Sequence, residues 1–162
     1  MSYIKSSLCN SLGVLCIGCC GKLSDSKEEV AQGIKKNTLE FKHSVSDKHN
    51  KKQLKHFRDR HPARELRNSG VCRNLIYDVD KDLIFCPIHQ EICGTDNGTD
   101  LRDGHCDTLH LCKAAFLFDL WPKEKRDEFI SFLRKKMRKG MCWHKLSKGL
   151  DNDKLLYEFE GI

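Results

Sequence analysis

The sequence has no apolar run approaching the roughly 18 residues a helix needs to cross a bilayer. It also lacks a His-Glu-x-x-His pair, a zinc-deaminase signature and a glycine-rich phosphate loop, which excludes the common motif-bearing hydrolases, deaminases and nucleotide-binding folds. No internal repeat or low-complexity tract is present. Export signals are equally thin. The apolar run from Leu8 to Cys20 is interrupted by Asn10 and Ser11 and follows a lone Lys5, and nothing marks the adjacent Cys19-Cys20 for acylation. Apolar residues make up 39% of the 162, against 32% charged, which predicts a soluble chain with a thin core that a metal could cross-link.

Cysteine and histidine are abundant. Cys72, Cys86, His89, Cys93, His105, Cys106, His110 and Cys112 fall between residues 72 and 112, too dense a set to arise from packing alone. With several His among the Cys and a Lys-rich composition, these residues point to metal binding in a reducing, cytoplasmic compartment rather than to disulfides. The runs 74–78 and 82–85 flank the polar pivot Asp78-Val79-Asp80-Lys81 and predict a hairpin. A turn centred on Val79 would set Cys72 opposite Cys86. Cys86-Pro87-Ile88-His89 has a chelating spacing, because a tight turn lets thiolate and imidazole reach one cation. Cys16-x2-Cys19 has the same character, with Cys9 and Cys20 beside it. Ten cysteines allow one or two sites.

Around this centre the patterning is helical. Ser26-x-x-Glu29 forms a capping box, with Ser24 as the alternative cap, for a helix to about Lys42 that carries Val30, Ile34, Leu39 and Phe41. A second helix is predicted over about 46–61, anchored by Leu54 and Phe57 and stopped by Pro62. A third begins near Asp107, lines Leu109, Ala114, Phe116, Leu117 and Leu120 on one side, and would put Cys106 and His110 on a shared face. Pro122 opens another, with Phe129, Ile130, Leu133 and Met137 inward, and a short closing helix spans about 151–160. Cys142-Trp143-His144 reads as structural in preference to a late ligand.

Together these elements predict an α+β fold, mostly helical, in which a small β-hairpin metal-binding module packs against several helices. Its segments are an N-terminal cysteine cluster (1–22), a basic helical stretch (23–70), a Cys/His core (71–112) and C-terminal helices (113–162), all in one compact domain. Net charge is +6, and between Lys42 and Arg73 ten Lys or Arg face three acidic residues. Lys48, Lys52, Lys55 and Arg58 could therefore track phosphates. Only Phe57 interleaves these charges, so the stacking platform of a single-strand binder is missing. His43, His49, His56 and His61 read as exposed polar residues.

The order Cys16-x2-Cys19-Cys20, Cys72-Arg73-Asn74-Leu75, Cys86-Pro87-Ile88-His89 and Arg102-Asp103-Gly104-His105-Cys106 resembles that of the small zinc- or iron-chelating cysteine-cluster proteins of the YkgJ type. The chain departs from that pattern in carrying His89 where an aromatic is usual, in lacking an Arg-Pro pair before Cys106, and in a longer insert after the first group. The resemblance implies chelation by Cys16, Cys19, Cys20, Cys72, Cys86 and Cys106. On the residues themselves, mixed thiolate and imidazole ligands favour zinc, drawn from that set with His89, Cys93, His105, His110 and Cys112. An iron–sulfur cluster on Cys72, Cys86, Cys93 and Cys106 is the alternative. The expected role is a binding or accessory module for a protein partner, with a nucleic-acid-binding zinc protein and a redox protein or metalloenzyme as rivals. No residue is assigned a catalytic role. Asp100, Asp103 and Asp107 read as turn or cap residues.

Overall fold

The computed structural model describes Leu8, Cys20, Gly21, Leu23 and residues 26–108 and 110–162. Cys9, Cys16, Cys19, Ser24 and Leu109, each given a role above, lie outside the described residues. The chain forms two compact units, Cys20–Thr108 and Leu109–Ile162 with Met1–Cys19. Their boundary cuts through the stretch 71–112 expected to act as one core, and it assigns His110 and Cys112 to a different unit from Cys72, Cys86 and Cys106. The architecture is mostly helical, with one two-stranded antiparallel ribbon among the described residues.

In the unit Cys20–Thr108, helix α1 (Lys27–Ser44) starts where the capping box predicts, the Ser26 side chain accepting the Glu29 N–H at 3.2 Å. Val30 and Ile34 are buried, while Leu39 is 53% exposed and lies off the buried face. Helix α2 (Lys51–Arg58) is shorter than the predicted 46–61. Asn50 caps it, and the Gln53 carboxamide oxygen accepts the N–H groups of Ser46 and Asp47, which holds the preceding residues in a loop. Leu54 and Phe57 are fully buried, as expected, among Ile76, Ile88, Cys93 and Leu101. Phe57 meets Phe41 edge-on, with centroids 5.1 Å apart. Burying a side chain of this size contributes about 1.5–3 kcal/mol.

The hairpin forms, but in another register. Strand β1 (Ile76–Asp78) pairs with β2 (Leu83–Phe85) so that Ile76 faces Phe85, Tyr77 faces Ile84 and Asp78 faces Leu83. The turn is therefore centred between Asp80 and Lys81, not on Val79, and the ladder does not oppose Cys72 to Cys86. Asp78 sets this turn by accepting the N–H groups of Asp80 and Lys81, and Asp82 closes it at φ 48°, a left-handed value that Asp tolerates. Cys72 instead bridges to Leu66. A short helix, α3 (Gln90–Cys93), follows the ribbon.

The second unit contains α4 (Lys113–Leu120), α5 (Lys123–Arg138), α6 (Trp143–Asp151) and α7 (Lys154–Glu160). The helix predicted to be capped by Asp107 begins five residues late. Cys112 takes the N-cap position, its sulfur accepting the Ala115 N–H at 3.4 Å, and His110 and Leu111 precede the helix as exposed coil. Cys106 and His110 consequently share no helical face. The buried side of α4 is Ala114, Ala115 and Phe118, whereas Phe116 and Leu120 are exposed. Helix α5 follows Pro122 and buries Phe129 and Leu133 as its stripe predicts. Trp121 packs edge-on against Phe129 at 5.4 Å, and Phe159 lies 4.9 Å from the same ring. Helix α6 carries Trp143 and His144, the latter buried.

Candidate metal centre

In the unit Cys20–Thr108, two turns of the same design carry a cysteine each. In the first, the Leu75 N–H bonds to the Cys72 carbonyl at 3.4 Å, and the Asn74 N–H points at the Cys72 sulfur, also at 3.4 Å. In the second, the His89 N–H bonds to the Cys86 carbonyl at 3.1 Å, and the Ile88 backbone hydrogen-bonds to the Cys86 sulfur. Backbone donors aimed at sulfur favour the thiolate, the form that ligates a cation. Cys86 is near enough to Cys72 and Cys106 to sense the charge of both. Loss of water around it dominates and pushes its thiol up to about 12. Cys106 is placed by a tight turn in which the N–H groups of His105 and Cys106 both bond to the Arg102 carbonyl, at 2.8 and 3.3 Å. Cys20 joins through its backbone, accepting the Cys72 N–H at 2.9 Å. None of the described cysteines is in a disulfide.

The surrounding polar residues hold these turns in place. Asn37 on α1 is fully buried, and its carboxamide donates to the carbonyls of Cys72 and Leu75, both at 2.9 Å, while accepting from Arg67 Nε at 2.9 Å. Two glycines permit the approach. A Cβ on Gly33 would lie 2.8 Å from Val71 Cγ1, and one on Gly21, at φ +127°, would lie 2.1 Å from the Gly70 carbonyl oxygen. Arg102 is 2% exposed and forks onto Asp100, with its Nη2 2.6 Å from Oδ2. Asp100 also accepts the Arg102 N–H at 2.9 Å, the turn chemistry expected of it. Arg102 Nη1 is buried and, among the described residues, meets no hydrogen-bond acceptor. Local sequence carries no sign of the long-range role of Asn37. The buried pair had a weak sign, in a cation two residues after an acid beside the cysteines.

Cys93 packs in the apolar core, its thiol pushed up by burial. The His105 imidazole lies 3.5 Å from Asp59, and burial with the Arg58 charge holds it below the usual histidine range. His89 shares the Cys86 turn on the side of Asp100. His110 and Cys112 belong to the helical unit. Among the described residues, no three His, Cys, Asp or Glu side chains already stand at ligand separation.

The basic stretch is largely engaged within its own unit. Lys55 pairs with Asp96, and Arg58 binds Asp59 and the Leu101 carbonyl. Lys52 is exposed, and Lys48 lines a cleft of about 400 Å³ beside the ribbon, so the four proposed phosphate contacts do not form one unengaged stripe. Arg60 and Arg67 both bind Glu40, each at 2.8 Å. Burial would raise the Glu40 carboxyl, but these two guanidinium groups outweigh it and hold it near about 2. His61, expected to be an exposed polar residue, is half-buried in this network, 3.6 Å from Glu40.

No helix among the described residues is long and apolar enough to cross a membrane. No family model, no curated protein and no solved structure matches the chain.

Proposed function

We propose that the unit Cys20–Thr108 is a metal-binding module that holds zinc through thiolates drawn from Cys20, Cys72, Cys86 and Cys106, and that it serves as a binding or accessory module for a protein partner. The observation that carries this reading is the pair of matched turns, each presenting a cysteine sulfur to a backbone N–H two residues on. Such turns lower the cost of ionising a thiol, which a cation then completes. Zinc suits the site because tetrahedral thiolate coordination is its commonest structural form. The contact of His105 with Asp59 leaves a thiolate set that an iron–sulfur cluster could also use, and visible absorption on anaerobic purification separates the two. Engagement of Lys55 and Arg58 inside the unit weighs against nucleic-acid binding.

Metal analysis of the purified chain tests this directly. Stoichiometric zinc is expected, and Cys86→Ser should lower both metal content and melting temperature. A variant with unchanged metal content and stability would overturn the reading.

A further inference from the structure

One face of the ribbon looks into the cleft of about 400 Å³. Ile76 pairs with Phe85 and Asp78 with Leu83, and because side chains alternate along a strand these four share that face. Phe41 and Lys42 from the last turns of α1, Lys48 and His49 ahead of α2, and Pro87 and Ile92 beyond the ribbon complete the lining. All belong to the unit Cys20–Thr108. Rings and aliphatic groups dominate. Val79 and Ile92, which also line the cleft, are 68% and 45% exposed, so apolar surface there stays in contact with water.

The polar part of the lining is mainly cationic. Lys42, Lys48 and Lys81 supply ammonium groups, and among the described residues none of the three pairs with a carboxylate, unlike Lys55, which Asp96 holds. Asp78 and Asp80 are the acids. Asp78 is committed to the turn, where it accepts the N–H groups of Asp80 and Lys81. Three ammonium groups against two carboxylates leave an excess of positive charge over an apolar lining.

We propose that this cleft binds a small organic anion with an aromatic body, its rings against Phe41 and Phe85 and its carboxylate, sulfonate or phosphate head at Lys42 and Lys48. The volume lies in the range of small-molecule pockets, which combine mostly apolar walls with a few charged groups that fix orientation. Contact between aromatic rings adds to what area burial alone contributes. A small molecule fits better than a peptide strand, because the cleft opens on the face of the ribbon and offers no ladder of edge N–H groups. The inference is independent of the metal reading, and a chain that takes up no zinc leaves it standing.

The test titrates the full chain with 1-anilinonaphthalene-8-sulfonate and with N-phenyl-1-naphthylamine, the same ring system without the sulfonate, following fluorescence and amide chemical shifts. The sulfonate should bind saturably, with shifts at 41–42, 48–49 and 76–87, and its affinity should fall as salt is raised, while that of the neutral amine should not. Both Lys42 and Lys48 are exposed, so Lys42→Gln/Lys48→Gln should keep the melting temperature. It should weaken sulfonate binding about 3- to 10-fold and leave the neutral amine unchanged. Ile92→Ser should weaken both probes, since it removes apolar lining and no charge. Shifts confined to another surface, such as the exposed Phe116 and Leu120 of α4, would overturn the inference. So would sulfonate binding that is indifferent to the lysine variant, or an absence of saturable binding.

Discussion

Asn37 shows how much of the candidate centre depends on single polar side chains. One carboxamide satisfies two carbonyls of the Cys72 turn and one guanidinium nitrogen, all from within α1. Asn37→Ala should cost about 1–3 kcal/mol for each buried group left unmade, read as a lower urea midpoint. Glu40 makes a pH-dependent contribution. Its carboxyl is held near about 2 in the folded chain against 4.5 ordinarily, so the stability it supplies is present above about pH 4.5 and is lost as pH falls toward 2. Unfolding midpoints across that range should fall for the unaltered protein and flatten for Glu40→Gln. Residues of this kind were the least legible in the sequence. Asn37 sits at an unremarkable place in a polar helix, and its partners lie 30 to 38 positions away.

Among the elements, legibility followed the local signal. Ser26 before Glu29 marked the start of α1, the pair Leu54 and Phe57 marked the inward face of α2, and Pro122 with Phe129 and Leu133 marked α5. Where the start of a helix was read from cap chemistry alone, it was misplaced. Asp107 is the better cap chemically, yet Cys112 occupies the position. Similarly, Asp78 and Asp80 could both begin the ribbon's turn, and the two N–H groups accepted by Asp78 decided the register. The candidate centre was legible as a set of cysteines but not as a set of contacts. The thiols of Cys72 and Cys86 are related by matched turns and not by the ladder that the spacing suggested. One consequence belongs to α1. Alanine is the better helix former by about 1 kcal/mol, but Gly33→Ala would drive a methyl to 2.8 Å from Val71 and push α1 off the Cys72 segment. The expected outcome is a lower melting temperature in thermal denaturation.

For the whole molecule, the chain divides into two units that each carry cysteines. Cys20, Cys72, Cys86 and Cys106 belong to one unit, and Cys112 and Cys142 to the other, where both sit at helix N-caps. Stripping metal with a chelator should therefore quicken amide hydrogen exchange at 72–75, 86–89 and 102–106, the three turns around the thiols. An exchange pattern in which these turns are unaffected would count against the centre. The same division governs what light can report. The chain has two tryptophans, Trp121 and Trp143, and both belong to the unit with the C-terminal helices. Intrinsic indole emission therefore arises wholly from that unit. An optical titration of the thiol-bearing unit has Tyr77 as its native chromophore, bonded to Asp82 at 2.6 Å at the tip of the ribbon.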